Sequence, residues 1–183
     1  KSEIEEMGMP IGKQDQYAAA FGGLNLMRFF EGGRAEVENV AIEDRILKEL
    51  EASLVLYFTG VSRESASIIE EQTANMRSHA QKSLEGLHAL KAGAFEMRDA
   101  LTAGDLPRFG ALLDAGWSSK KLLANRISSS GIDAVYDAAK SFGVFGGKVS
   151  GAGGGGFMMF LVDPTRREGL KRLLGKFGGA AQA

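Results

Sequence analysis

Two short stretches carry residue types at spacings that do chemistry. The first is "KVSGAGGGGF", residues 148–157, with five glycines in the six positions from Gly151 to Gly156. Ordering glycine costs more backbone entropy than ordering any other residue. Val149 precedes the run and Phe157, Met158, Met159 and Phe160 follow it. Apolar flanks fit a tight loop between buried strands better than a flexible linker, which needs polar surroundings. Gly151, Gly153 and Gly156 spell G-x-G-x-x-G, but a dinucleotide turn must pass from strand into helix, and here a strand is expected next. A P-loop fails as well, because Phe142 stands where its first glycine belongs and Val149 where Ser or Thr would meet magnesium. What remains is a loop whose main-chain N–H groups form a concave nest for an anionic oxygen. The competing reading is a strand connection into which only backbone fits.

The second stretch is "GKQDQYAAAFGGLN", residues 12–25. On a helix, Asp15 shares a face with Ala18, Ala19 and Gly22, at i+3, i+4 and i+7. That is a carboxylate beside a smooth surface with room for a ligand. Gln14, Gln16 and Tyr17 add hydrogen-bonding groups, and Lys13 adds a cation. Alternatively, the small residues mark close helix packing and Asp15 is a solvated first-turn carboxylate. His79 and His88 lack the spacing and partners of metal ligands. Trp117 and the phenylalanines are expected in the core, and the charges of 166–172 on a solvated helix face.

The elements that must position these groups follow from periodicity and punctuation. Residues 13–21 predict a short helix ended by Gly22-Gly23. Residues 24–30 and 34–40 alternate on either side of Gly32-Gly33 and predict a hairpin. A charged helix over 43–51 precedes an apolar run, 53–60, that predicts a buried strand. Residues 64–92 predict a long amphipathic helix, interrupted at Gly93 and resumed over 94–103. Gly104 caps it, and Asp105 starts the next helix with Pro107 in its first turn. Leu106, Phe109, Leu112 and Leu113 line that helix's inner face. Ser130-Gly131-Ile132-Asp133 reads as a capping box before Val135, Tyr136 and Ala139, and Gly143 stops the helix. Strand, glycine loop and strand then lead to a basic-ended helix over 164–177. "GGAAQA" closes the chain with no final element expected. Strands, then helices, then strands give an α+β domain, with a helical layer against a mostly antiparallel sheet.

The bulk numbers bound the function. Apolar residues at 44% and charged residues at 25% are ordinary for a globular protein. A net charge of −1 gives no electrostatic reason to expect nucleic acid or an anionic membrane as partner. The chain has no cysteine, which excludes disulfides and thiol chemistry and fits a reducing, cytoplasmic compartment. No apolar run approaches the roughly 18 residues that span a bilayer. The chain opens at Lys1 without Met, and Ile4 and Met7 on one side predict that it opens inside a helix, so a piece of something longer is expected.

Taken together, "GKQDQYAAAFGGLN" and "GGKVSGAGGGGF" resemble two motifs of the galactokinase, homoserine kinase, mevalonate kinase and phosphomevalonate kinase (GHMP) superfamily. The first resembles its catalytic-aspartate motif and the second its C-terminal glycine motif. "LYFTGVSRESASII", "FGALLDAGWSSKK" and "ISSSGIDAVYDAAKSFG" look most like the bacterial D-glycero-D-manno-heptose 7-phosphate kinases. The resemblance runs from about Ile4 to Gly179. It implies a ferredoxin-like C-terminal domain over 41–183, with 1–40 left from the inter-domain region and carrying the aspartate helix and hairpin. It implies a missing first half, holding the main nucleotide loop and the groups for magnesium, and a missing last strand after "GKFGG", so that the chain is expected to be cut at both ends. The fragment alone is then expected to be inactive.

The implied reaction moves the γ-phosphoryl group of ATP to the anomeric hydroxyl of a heptose phosphate. Fucose, galactose or a mevalonate-like alcohol are alternative acceptors, and a noncatalytic ligand-binding module is the alternative from another class. Asp15 is the implied catalytic residue, as proton acceptor or as electrostatic positioner. Ser150, Gly151, Ala152, Gly153, Gly154 and Gly155 would line the phosphate side. Lys13, Gln14, Tyr17, Gly22, Gly23 and Asn25 would meet the sugar. Lys13, Lys148, Arg28 and Arg63 either meet a substrate phosphate or are solvated surface charges. All of this requires folding to bring Asp15 and the glycine amides to opposite sides of one cleft.

Overall fold

A computed structural model describes residues 13–61, 65–78 and 81–182. The helix expected around Ile4 and Met7, together with Arg63 and His79, lies outside the described residues. The chain enters through α1 (Gln14–Phe21) and turns at Gly22 and Gly23 into a hairpin of β1 (Asn25–Phe29) and β2 (Ala35–Asn39). The strands pair antiparallel, with Asn25 opposite Asn39 and Phe29 opposite Ala35. Leu26 and Val40 are buried here, and Arg98 reaches Glu38 at 3.5 Å from the helical body.

Next come α2 (Asp44–Ser53), β3 (Leu54–Phe58), α3 (Ser65–Arg77), α4 (Gln81–Thr102), α5 (Leu106–Lys121) and α6 (Ser130–Phe142). The chain ends with β4 (Gly146–Val149), β5 (Phe157–Leu161), α7 (Arg167–Leu174) and β6 (Ala180–Gln182). The larger sheet runs β4-β5-β3-β6, and every neighbouring pair is antiparallel. Counted from β3, this is a β-α-β-β-α-β order with the first strand between the third and fourth, which is the ferredoxin-like arrangement.

Strand alternation divides the core. Val55, Tyr57, Val149, Met158 and Phe160 share one face and pack with Ile132, Val135 and Ala139 of α6 and Leu170 and Leu174 of α7. Leu161 faces the other way, against Leu101, Leu106 and Leu113 of α4 and α5. The apolar run of β3 is not buried throughout: Val55 and Tyr57 are, while Leu54, Leu56 and Phe58 are only partly covered.

Three local expectations need correction. The long helix does not break at Gly93; α4 runs through it, and α3 ends at Arg77. One interior glycine costs only about 1 kcal/mol against alanine, less than the packing of α4 on α5 returns. The N-cap of α6 is Ser129 rather than Ser130, its hydroxyl accepting from the Ile132 N–H. Finally, the chain does end in a strand. β6 pairs with β3, Phe58 opposite Ala180 and Leu56 opposite Gln182, so the strand after "GKFGG" that was expected to be missing is present. Its small side chains gave no periodic signal, and backbone ladder bonds form it instead.

The contact that positions the glycine loop is α5 against β4. A Cβ on Gly146 would sit 1.8 Å from the Gly110 carbonyl oxygen, and one on Gly110 would sit 2.4 Å from the Phe145 Cβ. Two glycines therefore bring helix and strand into backbone contact. From Gly110 to Lys120 the helix rises about 15 Å, and from Gly146 to Gly151 an extended chain advances about 16 Å. The matching lengths carry Lys120 to the start of the glycine loop.

Candidate active site

The glycine loop, residues 150–156, joins β4 to β5 as a strand-to-strand connection, not a strand-to-helix turn. Gly151, Gly153, Gly154, Gly155 and Gly156 all take positive φ. Its base is fastened at several points. Ser150 N–H donates to the Phe157 carbonyl at 2.8 Å, Gly154 N–H to Ile127 at 2.8 Å and Gly156 N–H to Val61 at 2.7 Å. Of the six residues expected on the phosphate side, Ser150 and Gly154 thus have their amides committed to protein carbonyls. The N–H groups of Gly151, Ala152, Gly153 and Gly155 make no such bond among the described residues, and since Gly155 is itself buried the open ones are those of Gly151, Ala152 and Gly153. The loop is both a packed connection at its base and an open set of donors at its tip.

Two positions separate these roles. A Cβ on Gly153, at φ +108, would sit 2.7 Å from the Ile127 carbonyl oxygen, whereas one on Gly151, at φ +71, would meet nothing within 4 Å. Gly151→Ala is expected to cost about 1 kcal/mol, the left-handed backbone penalty alone. Gly153→Ala is expected to cost about 2–3 kcal/mol, because a packed neighbour must also move. Urea unfolding of the two variants checks the order.

Beneath the loop, Tyr136 of α6 anchors β4. Its hydroxyl donates to Asp114 at 2.5 Å and lies 2.9 Å from the Gly147 carbonyl, and Lys140 pairs with Asp114 at 2.8 Å. Burial pushes Asp114 upward, but hydrogen bonds from Lys140 and Tyr136 outweigh it and hold the carboxyl below its ordinary value. Burial, followed by the bond to Asp114 and its charge, pushes the Tyr136 phenol up, so it stays a neutral donor.

Two half-buried lysines flank the loop. Lys120 Nζ donates to the Gly151 carbonyl. Burial and then repulsion from Lys148 lower its pKa to about 8. Burial lowers Lys148 too. Lys148 is therefore not the solvated surface charge that was one of its two expected readings. Lys120 was missed altogether, since nothing in "SSKK" distinguishes it from its neighbour, 31 residues before Gly151.

The loop also forms one wall of a cavity of about 220 Å³, between Gly154, Gly155, Tyr57, Thr59 and the start of α6 at Ser129 and Ile132. At the other end of the chain, Asp15, Ala18, Ala19 and Gly22 are all exposed, and α1 buries none of its residues. The small-residue face is thus an open surface, not a helix-packing seam. Lys13 and Gln14 line a separate hollow of about 440 Å³ with Phe29, Phe30, Gly33 and Arg34. Neither cavity is the single cleft expected to hold both Asp15 and the glycine loop.

The remaining expected sugar contacts divide by how free they are. Tyr17 is held by rings, stacked on Phe21 at 6.2 Å and edge-on to Phe29 at 5.5 Å. Asn25 Nδ2 donates to the Gly22 carbonyl at 2.7 Å, and so shapes the turn through Gly22 and Gly23. Arg28 is paired with Glu36 at 2.9 Å. His88 is exposed on α4. Among the described residues, no group of three or more His, Cys, Asp or Glu side chains stands in a metal-holding arrangement, and no helix is long and apolar enough to cross a membrane.

Comparison with known proteins places this architecture. Residues 97–179, from the end of α4 to the turn before β6, match the family model described as GHMP kinases C terminal. The chain is 41% identical to the D-glycero-alpha-D-manno-heptose 7-phosphate kinase of Campylobacter jejuni, over 98% of this chain and 52% of that protein. It is 29% identical to a galactokinase of Pyrococcus furiosus, over 100% of this chain and 58% of that one. A crystal structure of a D-glycero-D-manno-heptose 1-phosphate kinase from Bacteroides thetaiotaomicron superposes with a TM-score of 0.71 at 34% identity, covering 98% of this chain and 47% of that one. The chain spans about half the length of these relatives. Fold, glycine loop and relatives agree with that match: residues 97–179 carry the C-terminal domain of the GHMP kinases.

Proposed function

We propose that the chain is the C-terminal half of an ATP-dependent sugar kinase that transfers the γ-phosphoryl group to the anomeric hydroxyl of a heptose phosphate. The observation that carries this reading is the loop tip, where the N–H groups of Gly151, Ala152 and Gly153 stay uncommitted among the described residues, on a base fastened to Ile127 and Val61. Phosphoryl transfer asks a protein mainly for alignment and for donors aimed at growing charge. Donors held by a rigid base need no reorganisation when that charge develops. The identity to a heptose phosphate kinase supports the choice of acceptor.

On this reading Asp15 orients the attacking hydroxyl and takes its proton late in the transfer, as bond formation acidifies the oxygen. Its exposure on an open small-residue face leaves space for a sugar. Lys13 and Gln14 meet the acceptor from the adjoining hollow, while Asn25, Gly22 and Gly23 set the backbone beside it. Residues 1–40 serve as the junction to a preceding nucleotide-binding half, and 41–183 as the C-terminal domain. Magnesium, which such transfers use to neutralise phosphate charge, has no fitting donor set among the described residues, and no step here runs through it.

The test is a turnover assay of the complete kinase on heptose 7-phosphate, plain heptose, fucose, galactose and mevalonate, with ATP consumption and product phosphate both followed. The expected result is preference for heptose 7-phosphate, with phosphate delivered to the anomeric oxygen. Preference for an unphosphorylated sugar would overturn the acceptor, and absence of transfer to every alcohol would overturn the kinase reading.

A further inference from the structure

Among the described residues, Lys120 and Lys148 lie beside the loop without a counter-charge. Elsewhere among the neighbouring helices the pairing is explicit: Lys140 with Asp114 at 2.8 Å, Lys121 with Asp133 at 3.5 Å. Lys120 has only a neutral partner, the Gly151 carbonyl. Lys148 has no hydrogen-bond or ion-pair partner among the described residues. Both are half-buried, and burying an ammonium without a carboxylate costs stability unless an anion completes the site.

Their placement is built into the fold. Lys148 pairs across the strands with Met159, and so projects to the sheet face opposite Val149. Gly146 lies on that same face, and its missing side chain is the space occupied by α5. The helix therefore runs along the side of β4 from which Lys148 projects, and the Gly110–Gly146 contact sets how far along it Lys120 reaches. Two lysines from different elements converge where the amides of Gly151 and Ala152 are uncommitted.

We propose that Lys120 and Lys148, with the open amides of Gly151 and Ala152, form a receiving site for a phosphate group. The inference rests on the kinase reading and deepens it, by bringing Lys120 to the loop and by giving Lys148 the phosphate-facing one of its two expected roles. Phosphate is the anion that fits, because its several oxygens accept from two ammonium groups and two amides at once. The group comes either from a nucleotide or from a phosphorylated sugar.

Calorimetric titration of inorganic pyrophosphate into the chain tests the site without any turnover. Lys148→Met and Lys120→Met are each expected to weaken binding about tenfold or more, through loss of a charge-assisted bond. Lys148→Arg is expected to bind within a few-fold of the unaltered chain. Thermal melts of each variant separate lost binding from lost folding, and Lys148→Arg keeps the test decisive if a Met variant does not fold. Displacement of pyrophosphate by a non-hydrolysable ATP analogue assigns the group to the nucleotide; displacement by heptose 7-phosphate assigns it to the sugar. Absence of pyrophosphate binding, unchanged binding in both Met variants, or displacement by neither competitor would overturn the proposal. A chain that binds pyrophosphate through these lysines, within an enzyme that transfers no phosphate, would overturn the kinase reading and leave this site standing.

Discussion

Asp15→Asn in the complete kinase is expected to lower kcat by about 10²- to 10⁴-fold, the range that a positioned proton acceptor supplies. The variant keeps the size and hydrogen-bonding reach of the side chain but removes its charge and its ability to take a proton. The residue is exposed on a helix that buries nothing, so the fold has little stake in it. Its melting temperature is expected to stay within error of the unaltered protein, and the KM for sugar within a few-fold. Stopped assays across sugar concentrations separate the two parameters. A kcat within threefold of the unaltered enzyme would remove Asp15 from the mechanism. Asp15→Glu distinguishes its two candidate roles. A proton acceptor tolerates one added methylene poorly, because the reacting hydroxyl must lie within about 3 Å, whereas an electrostatic positioner retains much of its effect.

Gly146→Ala is expected to be the most damaging single methyl group in the domain. It would fall 1.8 Å from the Gly110 carbonyl oxygen and 2.6 Å from its carbon, against backbone rather than a movable side chain. Helix α5 must then lift from β4. Overpacking costs typically 1–3 kcal/mol and more where backbone has to shift, so about 3 kcal/mol is expected here. In a chain of this length that is a fall of roughly 6–12 °C in melting temperature. The lift also draws Lys120 away from Gly151, so phosphate binding should weaken further than the lost stability explains. Gly93→Ala is the control. A Cβ there meets nothing within 4 Å, in the middle of a helix. It is expected to stabilise by about 0.5–1 kcal/mol, since alanine holds helix better than glycine. Chemical unfolding of both variants checks both signs.

These two glycines illustrate what the sequence discloses. Gly93 looked like an interruption because local propensity is all that a single chain shows, and Gly146 looked like an ordinary residue of the strand before the glycine run. Only the approach of α5 reveals that Gly146 is where a side chain is forbidden. Elements with strong periodic or capping signals were legible: the hairpin, the Asp105 cap with Pro107 behind it, and the inner face of α6 at Ile132, Val135, Tyr136 and Ala139. β6 was not, because Ala180, Ala181 and Gln182 pair through main-chain groups that carry no sequence signature.

The candidate site divides along the same line. The glycine loop and the open face of α1 announce themselves by composition. The partners that hold the loop do not: Ile127 and Val61 accept its amides through carbonyls, which any residue type could supply. Lys120 and Lys148 stand 28 positions apart in sequence, and the match of helix rise to strand length that unites them exists only in the fold.

The central claim is that Asp15 and the glycine amides act on the same pair of reacting groups. The most direct measurement is a crystal structure of the complete kinase with heptose 7-phosphate and a non-hydrolysable ATP analogue. The expected result places an Asp15 carboxylate oxygen about 2.6–3.2 Å from the anomeric hydroxyl, with the terminal phosphate oxygens on the N–H groups of Gly151, Ala152 and Gly153. A sugar bound away from Asp15, or a terminal phosphate held elsewhere with those amides facing water, would contradict it.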